Sequence, residues 1–212
     1  MDGLVLDTEP TYRFAWQSAA KTMGVALSDE FCHQLSGCQG DDVERKFREQ
    51  MGSMENLAIF RRLSTADWWA HVQEKGIAVK PGLLNLLGTL VRLNVPYCLA
   101  TNSTRRNAIN CLKLAGLEDA FSIIVSRDDV KRGKPWPDIY VQAAGFLEQQ
   151  PQCCLAVEDS SIGITSASRA GTVPILIGDS GVQLEQARPL AYLVLDSLDV
   201  LDKMITGASL IR

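Results

Sequence analysis

The sequence predicts an α/β fold, with a Rossmann-like parallel sheet covered by helices on both faces and an inserted helical bundle. Two patterns support this prediction. From about residue 95 onward, short apolar runs alternate with stretches of helical periodicity, as in parallel sheets with crossover helices. Between residues 11 and 80, apolar residues recur at helical spacing and no strand-like run occurs. A chain of 212 residues is long enough for one such core and a modest insertion.

The helical segment comes first in the chain and is predicted to contain four helices. Their patterns cover residues 12–23, 28–36, 41–51 and 54–75. Glycines separate the later helices, and Pro81-Gly82 follows the last one. We therefore expect residues 11–80 to be inserted into a core made of residues 1–10 and 81–212.

Five strands are predicted beyond the helical segment. They cover residues 95–100, 121–125, 153–157, 173–177 and 192–195. Gly116 closes the helix that follows the first strand, and Pro137 begins a helix that runs to Leu147. Short apolar strands separated by helices favour a parallel sheet that is buried on both faces.

Charge and composition argue against several classes of protein. The net charge is −4, whereas a general nucleic-acid-binding surface would be basic, and no apolar run approaches the ~18–20 residues that span a bilayer. No secretory signal is recognised. Cys98 and the pair Cys153-Cys154 lie in apolar runs, which predicts buried thiols and fits a reducing compartment. We expect a cytoplasmic protein, monomeric or weakly dimeric, without a nucleic-acid or membrane partner.

Polar groups follow the ends of two predicted strands, where open parallel sheets bind their ligands. Thr101-Asn102 offers a hydroxyl, an amide and backbone N–H groups, which suit an anion such as phosphate. Glu158-Asp159 offers two adjacent carboxylates, which suit a hard divalent cation such as Mg²⁺. Lys134 stands between them in the sequence, on a loop stiffened by two prolines. Its ammonium could neutralise phosphate charge and keep a carboxylate ionised.

Each of these features also has an ordinary structural explanation. A threonine after a strand is usually an N-cap, and acids before a helix are favoured by the positive end of its dipole. A Lys-Pro-x-Pro segment is usually only a loop. Their order along the chain and their shared position at strand ends favour the functional interpretation.

The chain resembles the haloacid dehalogenase superfamily, in the branch with a helical cap that contains beta-phosphoglucomutase and small-molecule phosphatases. The resemblance covers essentially the whole chain and rests on four motifs in the family's order. They are Asp2-Gly3-Leu4-Val5-Leu6-Asp7-Thr8-Glu9, Ala100-Thr101-Asn102-Ser103, Gly133-Lys134-Pro135-x-Pro137-Asp138-Ile139-Tyr140 and Val157-Glu158-Asp159-Ser160-x-x-Gly163. It implies that residues 11–80 form the cap that closes over the active site.

The resemblance also implies roles for individual residues in phosphoryl transfer. Asp2 would be the general acid and base, and its backbone carbonyl would be a Mg²⁺ ligand. The Thr101 hydroxyl and the Asn102 backbone would hold phosphate oxygens, and Lys134 would bridge phosphate and nucleophile. Glu158 and Asp159 would hold Mg²⁺, directly or through water.

The family's nucleophile, an aspartate that becomes an aspartyl phosphate, lies two positions before the general acid. In this sequence that position falls directly before Met1. Two explanations are open: a start codon assigned too late, or a short form with a non-catalytic role. In either case we expect residues 1–212 to have little phosphatase activity, and the strands beside the family's first strand to have unpaired edges.

Three functions remain open. The first is a Mg²⁺-dependent phosphatase acting on a small phosphorylated metabolite. The second is a phosphotransferase similar to beta-phosphoglucomutase, which would need a second phosphate clamp on the cap. The third is a regulatory protein that binds phosphate without turning it over. The predicted cap loop at residues 36–39 is followed by no arginine or lysine before Arg45, which favours a monophosphate substrate.

Overall fold

The computed structural model describes residues 1–35, 40–178, 185 and 187–209, and it confirms the predicted α/β class. The chain divides into two compact units. A helical unit consists of Asp2 and Asp7–Ala78, and an α/β unit consists of Met1, Gly3–Leu6 and Val79–Arg212. The predicted cap loop at residues 36–39 lies outside the described residues.

Two helices of the helical unit begin at serine N-caps, and the last one ends at a glycine. Its helices are α1 (Glu9–Thr22), α2 (Asp29–His33), α3 (Gly40–Met51) and α4 (Met54–Lys75). The hydroxyl oxygens of Ser28 and Ser53 accept 3.1 Å hydrogen bonds from backbone N–H groups in the first turns of α2 and α4. Gly76, with φ of 74°, ends α4.

The core of the helical unit is built around aromatic side chains. Phe47 and Phe60 pack 4.6 Å apart between ring centroids, beside the buried Leu57. Trp68 is only 5% exposed, and its indole N–H donates a 2.9 Å hydrogen bond to the hydroxyl of Thr11. Trp68 is therefore part of this core.

A two-stranded ladder stands where the chain passes between the units. It pairs β1 (Leu6–Asp7) with β2 (Ala78–Val79). The expectation of a purely helical segment over residues 11–80 was wrong at its last residues, because β2 begins at Ala78. A two-residue strand is too short to show an alternating pattern in the sequence.

The α/β unit alternates strands and helices. Its elements are α5 (Leu83–Arg92), β3 (Leu99–Ala100), α6 (Arg105–Leu114), β4 (Ile124–Val125), α7 (Asp138–Phe146), β5 (Leu155–Glu158), α8 (Ser161–Arg169), β6 (Val173–Ile177), β7 (Leu193–Leu195) and α9 (Leu198–Ser209). Each of the five predicted strands is observed. The first two, β3 and β4, are shorter than expected, because only two residues of each strand pair with the other strand.

The strands of this unit form two separate parallel ladders. In the first, β3 pairs with β4 and Leu99 lies opposite Ile124. In the second, β5 pairs with β6 and β6 with β7, in the order β5-β6-β7. Within the described part of the chain, β3 and β5 thus have a strand on one side only.

The prediction of buried thiols was met only in part, because Cys98 and Cys154 are half-buried and Cys153 is exposed. Burial, and then the nearby Cys154, raise the pKa of the Cys98 thiol to about 11, which makes it a poor nucleophile at neutral pH. Cys153 is exposed because a single 3₁₀ turn over Pro151–Cys153 precedes β5, so the strand starts only at Leu155.

None of the helices in the described ranges combines the length and the apolar character needed to cross a bilayer.

We expect Thr11→Val to destabilise the protein, because the substitution leaves the buried indole N–H of Trp68 without its acceptor. Such a loss costs about 1–3 kcal/mol. Urea unfolding followed by tryptophan fluorescence measures it. Thr22→Val on the same helix is the control, since Thr22 is exposed and its hydroxyl donates to Ser18 O of its own helix. Equal stability of the two variants would contradict the assigned role of the Thr11 hydroxyl.

Candidate active site

Lys134 joins the carboxyl ends of β3 and β5. Its ammonium donates a 3.0 Å hydrogen bond to the carbonyl oxygen of Ala100, at the end of β3, and forms an ion pair with Glu158, at the end of β5. The side chains of Lys134 and Glu158 are 6% and 7% exposed. The structure therefore brings together two of the predicted site residues, which lie 24 positions apart in the sequence.

The side chain of Asn102 holds the loop that carries Lys134. Its Nδ2 donates to the carbonyl oxygen of Lys134 at 3.1 Å, and its Oδ1 accepts from the Lys134 N–H at 2.8 Å. Gly133 is required beside this pair, because a methyl group there would lie 2.5 Å from Oδ1 of Asn102. The amide of Asn102 is thus used to position Lys134, which leaves its backbone as the group to consider for phosphate.

Thr101 is buried directly after β3 and is not a helix cap. Its N–H donates to Val125 O at 2.9 Å, and its hydroxyl oxygen accepts from the N–H of Ser103 at 3.1 Å. The N-cap of α6 is Thr104, whose hydroxyl accepts from Asn107. The ordinary capping explanation for Thr101 therefore fails, and its hydroxyl hydrogen can be donated to an anion.

The hydroxyl of Tyr140 contacts both members of the ion pair. Tyr140 was not among the predicted site residues. Its hydroxyl donates to Oε1 of Glu158 and accepts from the Lys134 ammonium at 3.2 Å. The other carboxylate oxygen of Glu158 accepts from the Ser160 hydroxyl at 3.0 Å. Tyr140 stands six positions after Lys134, and this spacing within the third motif was the available signal.

The two adjacent carboxyl groups have opposite pKa shifts. Burial disfavours the charged form of Glu158, but the Lys134 ammonium and the hydrogen bonds from Lys134 and Tyr140 outweigh it and lower its pKa. Burial, and then the charge of Glu158, raise the pKa of Asp159 to about 6. At neutral pH both carboxyl groups are ionised, and carboxylate oxygens are the ligands that Mg²⁺ prefers.

Asp159 lies against the turn that follows Asp2. Gly3 has φ of +78°, and a methyl group on it would come within 2.0 Å of Oδ2 of Asp159. The N–H of Gly3 donates to Leu6 O at 2.8 Å, which closes the turn. The close approach to Asp159 and the positive φ together explain why glycine follows Asp2.

The carboxylates fit a Mg²⁺ ion only together with ligands other than side chains. Across the described part of the chain, no three His, Cys, Asp or Glu side chains come close enough to hold a metal. Mg²⁺ keeps several waters and is often bound through one or two carboxylates and substrate phosphate. The pair Glu158 and Asp159 satisfies that requirement, since both offer oxygen ligands.

Residues 1–177 match the model of the haloacid dehalogenase-like hydrolases. The chain belongs to this family. It is 32% identical over 171 residues to hexitol phosphatase A of Escherichia coli K12, covering 81% of this chain and 77% of that protein. It is 28% identical over 194 residues to beta-phosphoglucomutase of Bacillus subtilis 168, covering 84% and 80%.

A solved structure shows the same fold. The haloacid dehalogenase family hydrolase from Deinococcus radiodurans R1, crystallised with phosphate and sodium, matches with a TM-score of 0.80 and 24% identity. The match covers 99% of this chain and 94% of that chain. The resemblance drawn from the four motifs is therefore confirmed at the level of family and fold.

In this haloacid dehalogenase-like chain we expect Gly163→Ala to disturb the site, because a methyl group there would lie 2.0 Å from Oε2 of Glu158. Forcing that carboxylate aside costs about 1–3 kcal/mol. We expect a lower melting temperature and at least tenfold weaker Mg²⁺ binding in calorimetry. Gly145→Ala on α7 is the matched control, since nothing lies within 4 Å of its added methyl group. Equal Mg²⁺ affinities in the two variants would contradict the role given to Glu158.

Proposed function

We propose that the protein is a Mg²⁺-dependent phosphatase that hydrolyses the phosphate monoester of a small metabolite through an aspartyl-phosphate intermediate. The observation that carries this proposal is the buried ion pair of Lys134 and Glu158, which joins the carboxyl ends of β3 and β5, where β3 is followed directly by Thr101. The name of the relative hexitol phosphatase A supports a phosphorylated sugar or sugar alcohol as the substrate class.

In this proposal the phosphate is held by groups at the end of β3. The Thr101 hydroxyl donates to one phosphate oxygen and the backbone N–H of Asn102 to another. Lys134 contributes the positive charge of its ammonium, which already donates to Ala100 O, Tyr140 and Glu158. Phosphoryl transfer depends mainly on positioning and on neutralising charge, and these groups supply both.

The metal is assigned to the carboxylates and the adjoining backbone. Glu158 and Asp159 would bind Mg²⁺ directly or through water, with the backbone carbonyl of Asp2 as a further ligand. When bound, Mg²⁺ neutralises charge that develops on the phosphoryl group. The Asp2 carboxyl group would protonate the departing alcohol and then take a proton from the attacking water.

The nucleophile of the proposed reaction is a carboxylate two positions before Asp2, by the family resemblance. The residues of this chain can therefore be tested in two ways: by ligand binding, which needs only the groups named above, and by turnover, which also needs that carboxylate. A phosphotransferase is the second candidate, because the chain is 28% identical to a beta-phosphoglucomutase.

We expect Thr101→Val to weaken the binding of inorganic phosphate in the presence of Mg²⁺ by about tenfold or more, because a hydrogen bond to a charged group contributes about 1.5–3 kcal/mol. Isothermal calorimetry measures the affinity. Thr101→Ser is the matched control, since it keeps the hydroxyl and should bind within a few-fold of the natural chain. If valine and serine bind phosphate equally well, Thr101 is not a phosphate ligand.

Turnover is expected when a carboxylate occupies the position of the nucleophile. Phosphate release from a panel of sugar and sugar-alcohol phosphates is measured for residues 1–212 and for a version with an apolar strand ending in aspartate directly before Met1. We expect release by the extended version with Mg²⁺, its loss with EDTA, and its loss when the added aspartate becomes asparagine.

The same assay separates the alternatives. Isomerisation of glucose phosphates without phosphate release would favour the phosphotransferase. Phosphate and Mg²⁺ binding without turnover in either version would favour a regulatory protein. Equal release by both versions would show that the nucleophile is a residue of the chain itself.

A further inference from the structure

The loop that carries Lys134 is bonded to α8 at two consecutive carbonyl groups. The hydroxyl of Ser166 donates a 2.6 Å hydrogen bond to Trp136 O, and the guanidinium of Arg169 donates a 3.0 Å hydrogen bond to Pro135 O. Both carbonyl groups come directly after Lys134 in the sequence. The backbone on the carboxyl side of Lys134 is therefore attached to α8 by side chains.

The attachment of this loop depends on its carbonyl groups, because the loop has few N–H groups to offer. Pro135 and Pro137 have none. The N–H group of Trp136, which stands between them, donates to Gly133 O at 3.0 Å within the loop itself. The stretch after Lys134 is thus joined to neighbouring elements by the side chains that donate to its carbonyl oxygens.

Ser166 uses its hydroxyl differently from its neighbour Thr165. In a helix, serine and threonine hydroxyls commonly donate to a carbonyl one turn earlier, and Thr165 does so to Ser161 O at 2.8 Å. Ser166 is 0% exposed, and its hydroxyl donates to Trp136 O, outside the helix. A buried hydroxyl is costly without a partner, so this bond accounts for a serine on the buried side of α8.

The same helix holds Glu158 at its first turn. The hydroxyl oxygen of Ser160, the N-cap of α8, accepts from Gly163 N–H at 3.2 Å, and the hydroxyl donates to the Glu158 carboxylate at 3.0 Å. Gly163 and Ser166 are three residues apart, which makes them neighbours on the surface of the helix. One side of α8 therefore packs against the carboxylate at its start and bonds to the loop of Lys134 about 4.5 Å further along the axis.

Arg169 adds a second attachment, at the surface. Its guanidinium carbon lies 5.7 Å from the ring centroid of Trp136, and that of Arg132 lies 4.5 Å from the same centroid. Both distances are typical of cation–π contacts. Trp136 is 48% exposed, so this part of the attachment lies in water, whereas the bond from Ser166 is buried. Because a hydrogen bond is electrostatically stronger in a buried place, the bond from Ser166 constrains the loop more.

We propose that Ser166 is a positioning residue of the candidate site. It fixes the loop of Lys134 to α8, whose first turn holds Glu158, and thereby sets the place of the Lys134 ammonium relative to the carboxylates. Ser166 acts through the loop backbone and not by contact with a ligand. In what concerns phosphate this inference rests on the proposed function, because the attraction between an ammonium and a phosphate depends on their separation.

The position of Lys134 is measured first without any ligand. Its ammonium nitrogen lies 4.8 Å from the ring centroid of Tyr140, so the ring current of the tyrosine shifts the NMR signals of the adjoining methylene group. The protein is labelled with ¹³C-lysine, and the signal of Lys134 is identified by its absence from Lys134→Arg. We expect Ser166→Ala to move this signal toward the position of exposed lysines, since the loop loses its buried attachment.

Thr165→Val is the matched control, because it also removes one hydroxyl from α8, but one that donates within the helix. We expect its Lys134 signal to stay where it is in the natural chain. Melting temperatures of both variants are recorded, since a shift caused by lower stability alone would follow the melting temperature in both. Arg169→Met removes the donor to Pro135 O, and we expect it to move the signal in the same direction by a smaller amount.

Calorimetry then separates the two kinds of ligand. We expect Ser166→Ala to bind inorganic phosphate, with Mg²⁺ present, about fivefold or more weakly than the natural chain, because the displaced ammonium attracts phosphate less. We expect its affinity for Mg²⁺ alone to be unchanged, because Glu158 keeps its bonds from Ser160 and Tyr140. Thr165→Val should bind both ligands like the natural chain.

Four results would overturn the proposal: an unchanged Lys134 signal in Ser166→Ala, an equal shift in Thr165→Val, undiminished phosphate binding by Ser166→Ala, or a loss of Mg²⁺ affinity as large as the loss of phosphate affinity. The last result would mean that Ser166 only stabilises α8. If the natural chain binds no phosphate, the proposed function fails, and the NMR comparison still decides whether Ser166 positions Lys134.

Discussion

The ion pair between Lys134 and Glu158 is the interaction on which the rest of the α/β unit depends. Burying two charges costs several kcal/mol for each ion, and this cost is offset only if every polar atom finds a partner. The ammonium has three protons, and its three acceptors are Ala100 O, the Tyr140 hydroxyl and Glu158. The pair therefore ties β3, α7 and β5 together, and among the described residues no ladder connects β3 to β5.

Close packing around the carboxylates follows from this arrangement. Glycine stands at three positions where a side chain would collide with the site: Gly3 against Asp159, Gly133 against Asn102, and Gly163 against Glu158. These three residues also lie within or beside the sequence motifs. The motifs therefore contain both the polar and charged site residues and the glycines that leave room for them.

Apolar periodicity was sufficient to predict the fold class, the four helices of the helical unit and the approximate places of the five strands. These features depend on whether each residue is buried, which the local pattern reports. The separation of the strands into two ladders, β3-β4 and β5-β6-β7, could be anticipated only through the family resemblance. Strand order depends on contacts between distant parts of the chain, which a local pattern does not report. For the same reason periodicity could not show β2, whose two residues are recognisable only beside β1.

The candidate site was predictable in part. The strand-end positions of Thr101 and Glu158 followed from the predicted strands. Lys134 joins these two strand ends through Ala100 O and Glu158, which agrees with the expected ligand-binding edge of the sheet. The partnership of Tyr140 with Glu158 was not predicted, because a tyrosine in an apolar helix looks like a core residue. The use of the Asn102 side chain was missed as well, since an amide after a strand is equally suited to a ligand and to a neighbouring loop.

The two hydrogen bonds between Asn102 and the Lys134 backbone have a consequence for the chemical ageing of the protein. Asn102 is exposed and is followed by Ser103, a small residue that favours deamidation. Deamidation would replace the Nδ2 donor by an oxygen facing the carbonyl oxygen of Lys134, so an attraction would become a repulsion. Deamidation of Asn102 is therefore expected to weaken the contact that holds the backbone of Lys134 in place, and with it the position of the buried ammonium.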